Sequence, residues 1–418
     1  MVINFLLHLC NNSLPTTYKG NRFNKIFYCI FQFSCNLRFF LSYFIDVCTN
    51  KKKAGLVILS FSITGVTLLL SGCTFKDIDK RAFVTSIGID QSEKSDKKYN
   101  VMIKVAIPSG DPKSPESNFI ILSTNTDSIT DGLRQMKSQI DKELVYGHNK
   151  TILIGEKIAK SDIQPILEYF VRRPDFQKTS YISVAKPNIL EVLNFKPQKE
   201  NVAGSFLNSI FEYSKMESPY INTLCLFDAY RRETEDGINI AMPIIEATKK
   251  KIKVNQMALF NKNKMLLELN PKESETFRLL TTGIYNGSLK VRNKNGLYAI
   301  DLKRAKAKYK LIVKNKTLGA FYTIKIKAII EEKINGIGEI KDNEIAVIRK
   351  QVEDKINAET EVLLTKIKNQ NIDPIGFGLR FLSRGSGDRK EVSWSKMYTN
   401  LSFNIKSNVE IQGTGLIH

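Results

Sequence analysis

Between Ala54 and Leu70 the chain is almost continuously apolar and carries no charge, and just beyond, at Cys73, it turns polar and stays polar to its end. This run divides the sequence into a membrane-directed leader and a remainder that must build its own core. Lys51, Lys52 and Lys53 precede the run and the small residues Ser71 and Gly72 come directly after it. Basic, apolar and small-residue zones in that order are the pattern of a secretory signal. The competing reading is a single membrane-spanning helix in which Cys73 is an ordinary apolar residue. Crossing ~30 Å of hydrocarbon takes about 20 residues, and this run lies at the short edge of that range. Length and flanks together favour the cleaved signal.

The four residues Leu70-Ser71-Gly72-Cys73 also resemble the lipobox of bacterial lipoproteins. The resemblance implies that the Cys73 thiol is diacylglycerylated, that cleavage falls between Gly72 and Cys73, and that the mature protein starts at the lipidated residue. One acyl chain, at about 0.8 kcal/mol per buried methylene, holds a protein only marginally, whereas two give stable attachment. The polar chain beyond Cys73 is then expected to be an ectodomain at the outer face of a membrane, with no segment suited to a second crossing.

Residues 1–50 fit this scheme poorly. They hold Cys10, Cys29, Cys35 and Cys48 and a semi-apolar run from Phe27 to Val47 broken by Arg38 and Asp46. A signal peptide is normally N-terminal. The expectation is a start assigned upstream of the true one, and the alternative is a real extension with a second membrane-seeking segment.

About 345 residues remain after the cleavage point, enough for two or three domains. With 42% apolar and 25% charged residues overall, the chain can bury a proper core. Only Cys73 and Cys225 remain as cysteines, so no disulfide framework and no cysteine metal site is available. Cys225 is expected to be a buried small hydrophobe. The net charge of +21 comes mainly from lysines scattered among Asn and Ile, without the clustered pattern of a nucleic-acid binder. The densest basic tract, Lys303 to Lys316, alternates Tyr309, Leu311 and Val313 with Lys308, Lys310 and Lys314. That alternation describes a half-buried strand with a lysine-bearing wet face. Attraction to anionic headgroups at ~1 kcal/mol per basic residue is open to such a face, and simple solvation is the expectation.

Periodicity predicts strands at Ala82–Asp90 and Lys98–Pro108, joined as a hairpin, and then a polar linker from Ser109 to Ser117. A helix capped by Asp127 is expected to carry Ile129, Leu133, Met136, Ile140 and Leu144 inward and to end at Gly147. A strand at Thr151–Gly155, a helix after Ser161 or Asp162 that stops at Pro174, and a strand at Thr179–Pro187 complete an α/β unit ending near Pro197. Residues 201–250 are less regular, with a helical start through Phe206, Ile210 and Phe211. From Lys251 a β run turns at Asn261–Lys264 and ends in a helix from Pro271 to Leu280. Further strands are expected at Lys308–Lys314, Tyr322–Ile330 and Leu401–Ile411, with a long helix from about Glu344 to Asn371. The expected architecture is mixed α+β and α/β. It comprises a doubtful extension at 1–50, a lipoprotein signal at 51–72, an N-terminal α/β domain at 73–197, a connecting region at 198–250, and a C-terminal antiparallel sheet with a long packed helix at 251–418.

Several tracts in this order resemble the Ger(x)C family, the C subunits of spore germination receptors. They are the lipobox, the strand around Gly88-Ile89-Asp90, LVYGHNKTILIGEKIAK at 144–160, and EYFVRRPDFQKTSYISVAK at 168–186. ETFRLLTTGIYNGSL at 275–289, IDPIGFG at 372–378, Trp394 and the closing IQGTG complete the set. The extra fifty N-terminal residues have no counterpart there. The resemblance implies a non-enzymatic lipoprotein subunit that assembles with two integral-membrane subunits, A and B, at the spore inner membrane, where the complex senses nutrient germinants and triggers germination.

No catalytic constellation competes with this reading. Of three histidines, His8 lies in the leader and His418 is the last residue, leaving His148 at a turn, where a structural role is expected. IGFGLRF and RGSGD lack the spacing of a dinucleotide or phosphate loop. Glu233 and Glu235 are expected in a solvated loop. No catalytic residue, cofactor, metal or nucleic-acid partner is expected. Two alternatives remain open: a solute-binding lipoprotein of a transporter, which would need two similar α/β lobes around a cleft, and a lipid-anchored cell-wall hydrolase. The loops Gly147–Lys150 and Pro374–Gly378 are candidate partner surfaces, because glycine and proline hold them in fixed turns. The plainer reading is that they cap a helix and shape a corner.

Overall fold

The structure, a computed structural model, describes residues 80–106, 119–196, 206–248, 251–284, 286–314, 317–334, 340–383 and 394–414. All belong to one compact unit, Asp77–His418. The lipobox residues Gly72 and Cys73 lie outside the described residues.

The first sheet starts from the expected hairpin. β1 (Arg81–Gln91) pairs antiparallel with β2 (Tyr99–Ala106), and β2 with β3 (Phe119–Thr126). β4 (Glu143–Val145) lies parallel to the start of β1. On the same side β5 (Thr151–Gly155), β6 (Tyr181–Lys186) and β7 (Ala241–Ala247) continue in parallel. β8 (Ile252–Asn261) and β9 (Lys264–Leu269) close the sheet antiparallel, giving the order β3-β2-β1-β5-β6-β7-β8-β9. The β run from Lys251 therefore extends the first sheet and does not open a separate one.

Helices cover both faces, which is why the central strands read as unbroken apolar runs. One face packs against α1 (Ile129–Lys137), α3 (Gln164–Arg172) and α6 (Leu226–Thr234), with α2 (Glu156–Ala159) directly after β5. The other takes α4 (Ile189–Asn194) and α5 (Phe206–Glu217) through Ile189, Leu193, Leu207 and Phe211. Ile189 sits directly on β1 at Gly88, where an added Cβ would collide with Ile189 Cγ2. The glycine of the Gly88-Ile89-Asp90 tract is thus a close-approach site.

α1 is shorter than its periodicity suggests. Its cap is Ser128, whose Oγ accepts from the Asp131 N–H at 3.1 Å, while Asp127 pairs with Lys97 at 2.8 Å. The helix stops at Lys137, and Leu144 reaches the same core from β4. A strand residue thereby continued the helical pattern by coincidence.

α7 (Pro271–Thr281) leads to the second sheet and opens with a capping box in which Asn270 and Glu273 exchange side-chain and backbone bonds. β10 (Gly287–Asn293), β11 (Gly296–Lys314) and β12 (Thr317–Lys333) form an antiparallel meander. β13 (Ser402–Ile411) adds to β12 in parallel. This parallel pairing departs from an all-antiparallel sheet because α8 (Asp342–Asn369) carries the chain back along the sheet, as parallel neighbours require. Every second residue of β12 from Leu318 to Ile330 is buried, in a core to which α8 contributes Ile348, Val352, Ile356, Leu363 and Ile367.

The sheet curls around α8 until both of its edges meet the helix. On β13, Asn357 Oδ1 accepts from the Ser407 N–H and Glu353 Oε1 from the Val409 N–H, both at 3.0 Å. On β10, Gln351 donates to the Arg292 carbonyl at 2.9 Å and Lys355 to that of Lys290 at 2.6 Å. Side chains of one helix thus occupy backbone groups that open edges would offer to another chain. The core of this sheet continues through Phe277 to Leu269, Met257 and Leu259 of the first, so no gap in the core separates the sheets.

Candidate functional site

The two glycine-held loops occupy opposite environments. At the first, the chain leaves β4 through a single turn, Tyr146–His148, and enters β5. The tract from Arg173 to Tyr181 closes around it. Gln177 Nε2 donates to the Gly147 carbonyl at 2.5 Å and its Oε1 accepts from Lys150 Nζ at 2.7 Å. Ser180 Oγ donates to the Asn149 carbonyl at 2.7 Å, and the Tyr181 N–H to that of Lys150 at 2.8 Å. Lys178 closes the end of α3 by donating to the carbonyls of Phe170, Arg173 and Phe176. A cation suits the carbonyl end of a helix. Arg173 forks onto Asp175, and Tyr169 accepts a further guanidinium bond at 2.9 Å. Phe176 lies between Tyr146 and Phe170 with ring centroids 5.1 and 5.0 Å away. Burial pushes the Tyr146 hydroxyl up to about 12.

Two tracts that looked unrelated along the chain, YGHNK and RRPDFQK, are therefore one knot at the starts of β1, β5 and β6. His148 and Lys150 are exposed on it and Gly147 half-exposed. His148 lies edge-on to Phe83, centroids 4.8 Å apart. Beyond the Cβ position of Gly147 nothing lies within 4 Å. This corner is rigidly supported from behind and open in front.

The second loop, Pro374–Gly378, is buried apart from a half-buried Ile375. Its centre is Asp373, only 3% exposed. Asp373 Oδ1 accepts from the Gly376 N–H at 2.8 Å and Oδ2 from that of Gly378 at 2.7 Å, which starts α9 (Phe377–Leu382). The Asp373 N–H donates to Asn239 Oδ1 at 2.6 Å, and the Asn239 N–H returns a bond to the Asp373 carbonyl at 2.9 Å. Arg232, held by Asp228 at 2.7 Å, donates to the Pro374 carbonyl at 3.2 Å. Gly237 has φ +77°, and a side chain there would strike the Gly378 backbone. A Cβ on Gly378 would lie 2.6 Å from the Gly237 Cα and against the Trp394 ring of α10 (Trp394–Thr399). Tyr398 seals the loop by donating to the Ile372 carbonyl at 2.5 Å. Burial pushes the Asp373 carboxyl up to about 6, against the N–H bonds that favour its charged form. The loop locks α6 and the entry to β7 onto the helices beside the second sheet. It is a joint and not a partner surface.

The remaining candidates scatter. Cys225 is half-buried, forms no disulfide and stands at the start of α6. Glu235 and Glu233 sit at the end of α6 and not in a loop, and Glu235 pairs with Arg231 at 2.5 Å. IGFGLRF forms the joint and α9, while RGSGD lies outside the described residues. Among the described residues there is no group of three or more potential metal-ligating side chains and no helix long and apolar enough to cross a membrane.

A helix-flanked nine-stranded sheet locked to a four-stranded sheet curled around one helix defines a two-sheet α+β class. The crystal structure of the GerBC protein shares this fold with a TM-score of 0.52 at 18% identity, covering 78% of this chain and 97% of that one. Residues 75–247 match the family described as spore germination protein N-terminal domain, and residues 255–415 match spore germination B3/GerAC like, C-terminal. The chain belongs to this GerAC-like family of spore germination proteins. Its relatives include spore germination protein GerQC of Bacillus cereus, 26% identical over 277 residues (65% of this chain, 76% of the relative). Spore germination protein B3 of Bacillus subtilis (strain 168) is 20% identical over 370 residues, covering 85% of this chain and 98% of the relative.

Proposed function

We propose that the chain is the C subunit of a nutrient-germinant receptor. It is held by acylated Cys73 at the outer face of the spore inner membrane and works without catalysis beside the A and B membrane subunits. The observation that carries this reading is the tandem of two spore germination regions from residue 75 to residue 415, beginning two residues after the lipobox cysteine. Everything that would survive cleavage before Cys73 is then family body. Seven residues lie between Cys73 and Arg81 at the head of β1, which makes eight residue-to-residue steps. An extended chain spans at most ~3.3–3.6 Å per residue, so the tether is no longer than about 29 Å. The exposed corner at Gly147–Lys150, backed by the knot beside β1, is the surface we assign to partner contact. The solute-binding alternative called for two similar lobes. The dissimilar nine-stranded and four-stranded sheets do not supply them.

The test is recovery of the complex from spore membranes through a tag on this chain. Copurification of both membrane subunits, reduced by His148→Ala with Lys150→Ala at unchanged melting temperature, supports the assignment. Uptake of an amino acid or sugar by the isolated chain in calorimetry would contradict it.

A further inference from the structure

The outer face of the second sheet carries cations in register across three strands. Arg304 stands opposite Lys327 and Lys306 opposite Lys325, while Lys308 on β11 and Lys406 on β13 flank Thr323. All are exposed. Like charges directly opposite one another on a sheet destabilise the pairing. A merely solvated face would interleave acids, yet Lys306, Lys308, Lys310, Lys325 and Lys406 make no ion pair among the described residues. Lys327 has Glu410 at 3.9 Å. Arg304, Lys306, Lys308, Lys325 and Lys327 line one groove, with Asn408 and Glu410 at its β13 side.

Toward the β11–β12 turn the same face becomes apolar. Ile312 continues the line after Lys310 and is 46% exposed, and Phe321, opposite Lys310, is 42% exposed. Val313 adds 44% exposure on the reverse side of the tip. A row of cations ending in exposed apolar side chains suits a surface with anions outside and hydrocarbon beneath. Single-stranded nucleic acid would call for aromatic platforms repeated along the basic row, whereas here Phe321 stands at its apolar end, opposite Lys310.

We propose that this face docks on an anionic lipid bilayer, with lysines among the headgroups and the Ile312–Phe321 tip at the acyl boundary. Attachment through Cys73, as read above, supplies proximity alone; the docking chemistry stands on the face itself. At about fivefold in partition per basic residue, exchanging Lys306, Lys308 and Lys325 for glutamate lowers the docked population at least about a hundredfold.

The test uses the full chain purified from membranes and mixed with vesicles containing brominated lipid, either phosphatidylcholine alone or one part phosphatidylglycerol to two parts phosphatidylcholine. Phe321→Trp adds a reporter at the tip, and its quenching is read as the difference from the parent with its single Trp394. The expected result is quenching on phosphatidylglycerol vesicles, absent on phosphatidylcholine, removed at about 1 M salt where the Debye length falls to about 3 Å. It is also lost in Lys306→Glu/Lys308→Glu/Lys325→Glu and, as a milder control for folding, weakened in the corresponding glutamine variant. Flotation with both vesicle types without quenching on either overturns the proposal while leaving the anchor intact. Flotation and quenching on phosphatidylglycerol alone support the face and count against the anchor. Binding of soluble polyglutamate, with no quenching by either vesicle, overturns the proposal in favour of an acidic protein partner.

Discussion

Protonation of Asp373 offers the sharpest probe of the joint. Burial raises its carboxyl from an ordinary 3.8 to about 6 in the folded protein. The folded state therefore holds this proton more tightly than the unfolded chain. The stability it contributes is fully present below about pH 4 and is lost as pH rises through about 6. A gap of about two units corresponds to about 3 kcal/mol. In Asp373→Asn the amide oxygen still accepts one glycine N–H, while its NH2 confronts the other. Leaving a buried donor unpaired costs about 1–3 kcal/mol at every pH. Urea melts of both proteins from pH 4 to pH 7.5 should show the parent clearly more stable at the acid end. Its advantage should shrink by about 3 kcal/mol across the window, toward parity or reversal. Other titrating groups cancel in the difference between the two curves. A gap that stays constant with pH would refute the reasoning, since it would mean the carboxyl is ionised throughout and fully compensated by its N–H donors.

Gly237→Ala forces a side chain into a left-handed backbone against Gly378, and a loss of about 3 kcal/mol in a denaturant melt is expected from strain and overpacking together. Lys178→Met removes a donor to three carbonyls at the end of α3, and a loss of about 1–3 kcal/mol should accompany faster amide exchange at Gly147–Lys150. Glu353→Ala with Asn357→Ala strips the cover from β13, and sedimentation should report self-association absent from the parent. Burial holds Glu275 at about 7, so Glu275→Gln should flatten the decline in stability between about pH 4.5 and pH 7.

Local pattern made much of this architecture legible. Strict alternation exposed β12, and a single apolar stripe exposed α8. Features that depend on distant partners were not legible. β7 went unread because Pro243 argues against a central strand, yet the residue lies opposite Met257 in the middle of the sheet. β3, FIILSTNT, has no alternation to signal it. The parallel placement of β13 results from the path of α8, which no local window contains. The two loops looked alike because each places a glycine in a turn between well-packed elements. One is buried only because Asn239, 134 residues earlier in the chain, and Trp394 close over it. The knot behind Gly147 likewise joins residues 30 apart through Gln177, and neither tract shows the other.

The claim on which placement of the whole molecule depends is the conversion of Cys73 into a lipidated N-terminus. Intact-mass measurement of the protein extracted from membranes tests it directly. The expected result is a chain beginning at Cys73 with added acyl mass, and a Cys73→Ser variant that keeps its leader and gains no acyl mass. A chain that begins elsewhere, or at an unmodified Cys73, would contradict it.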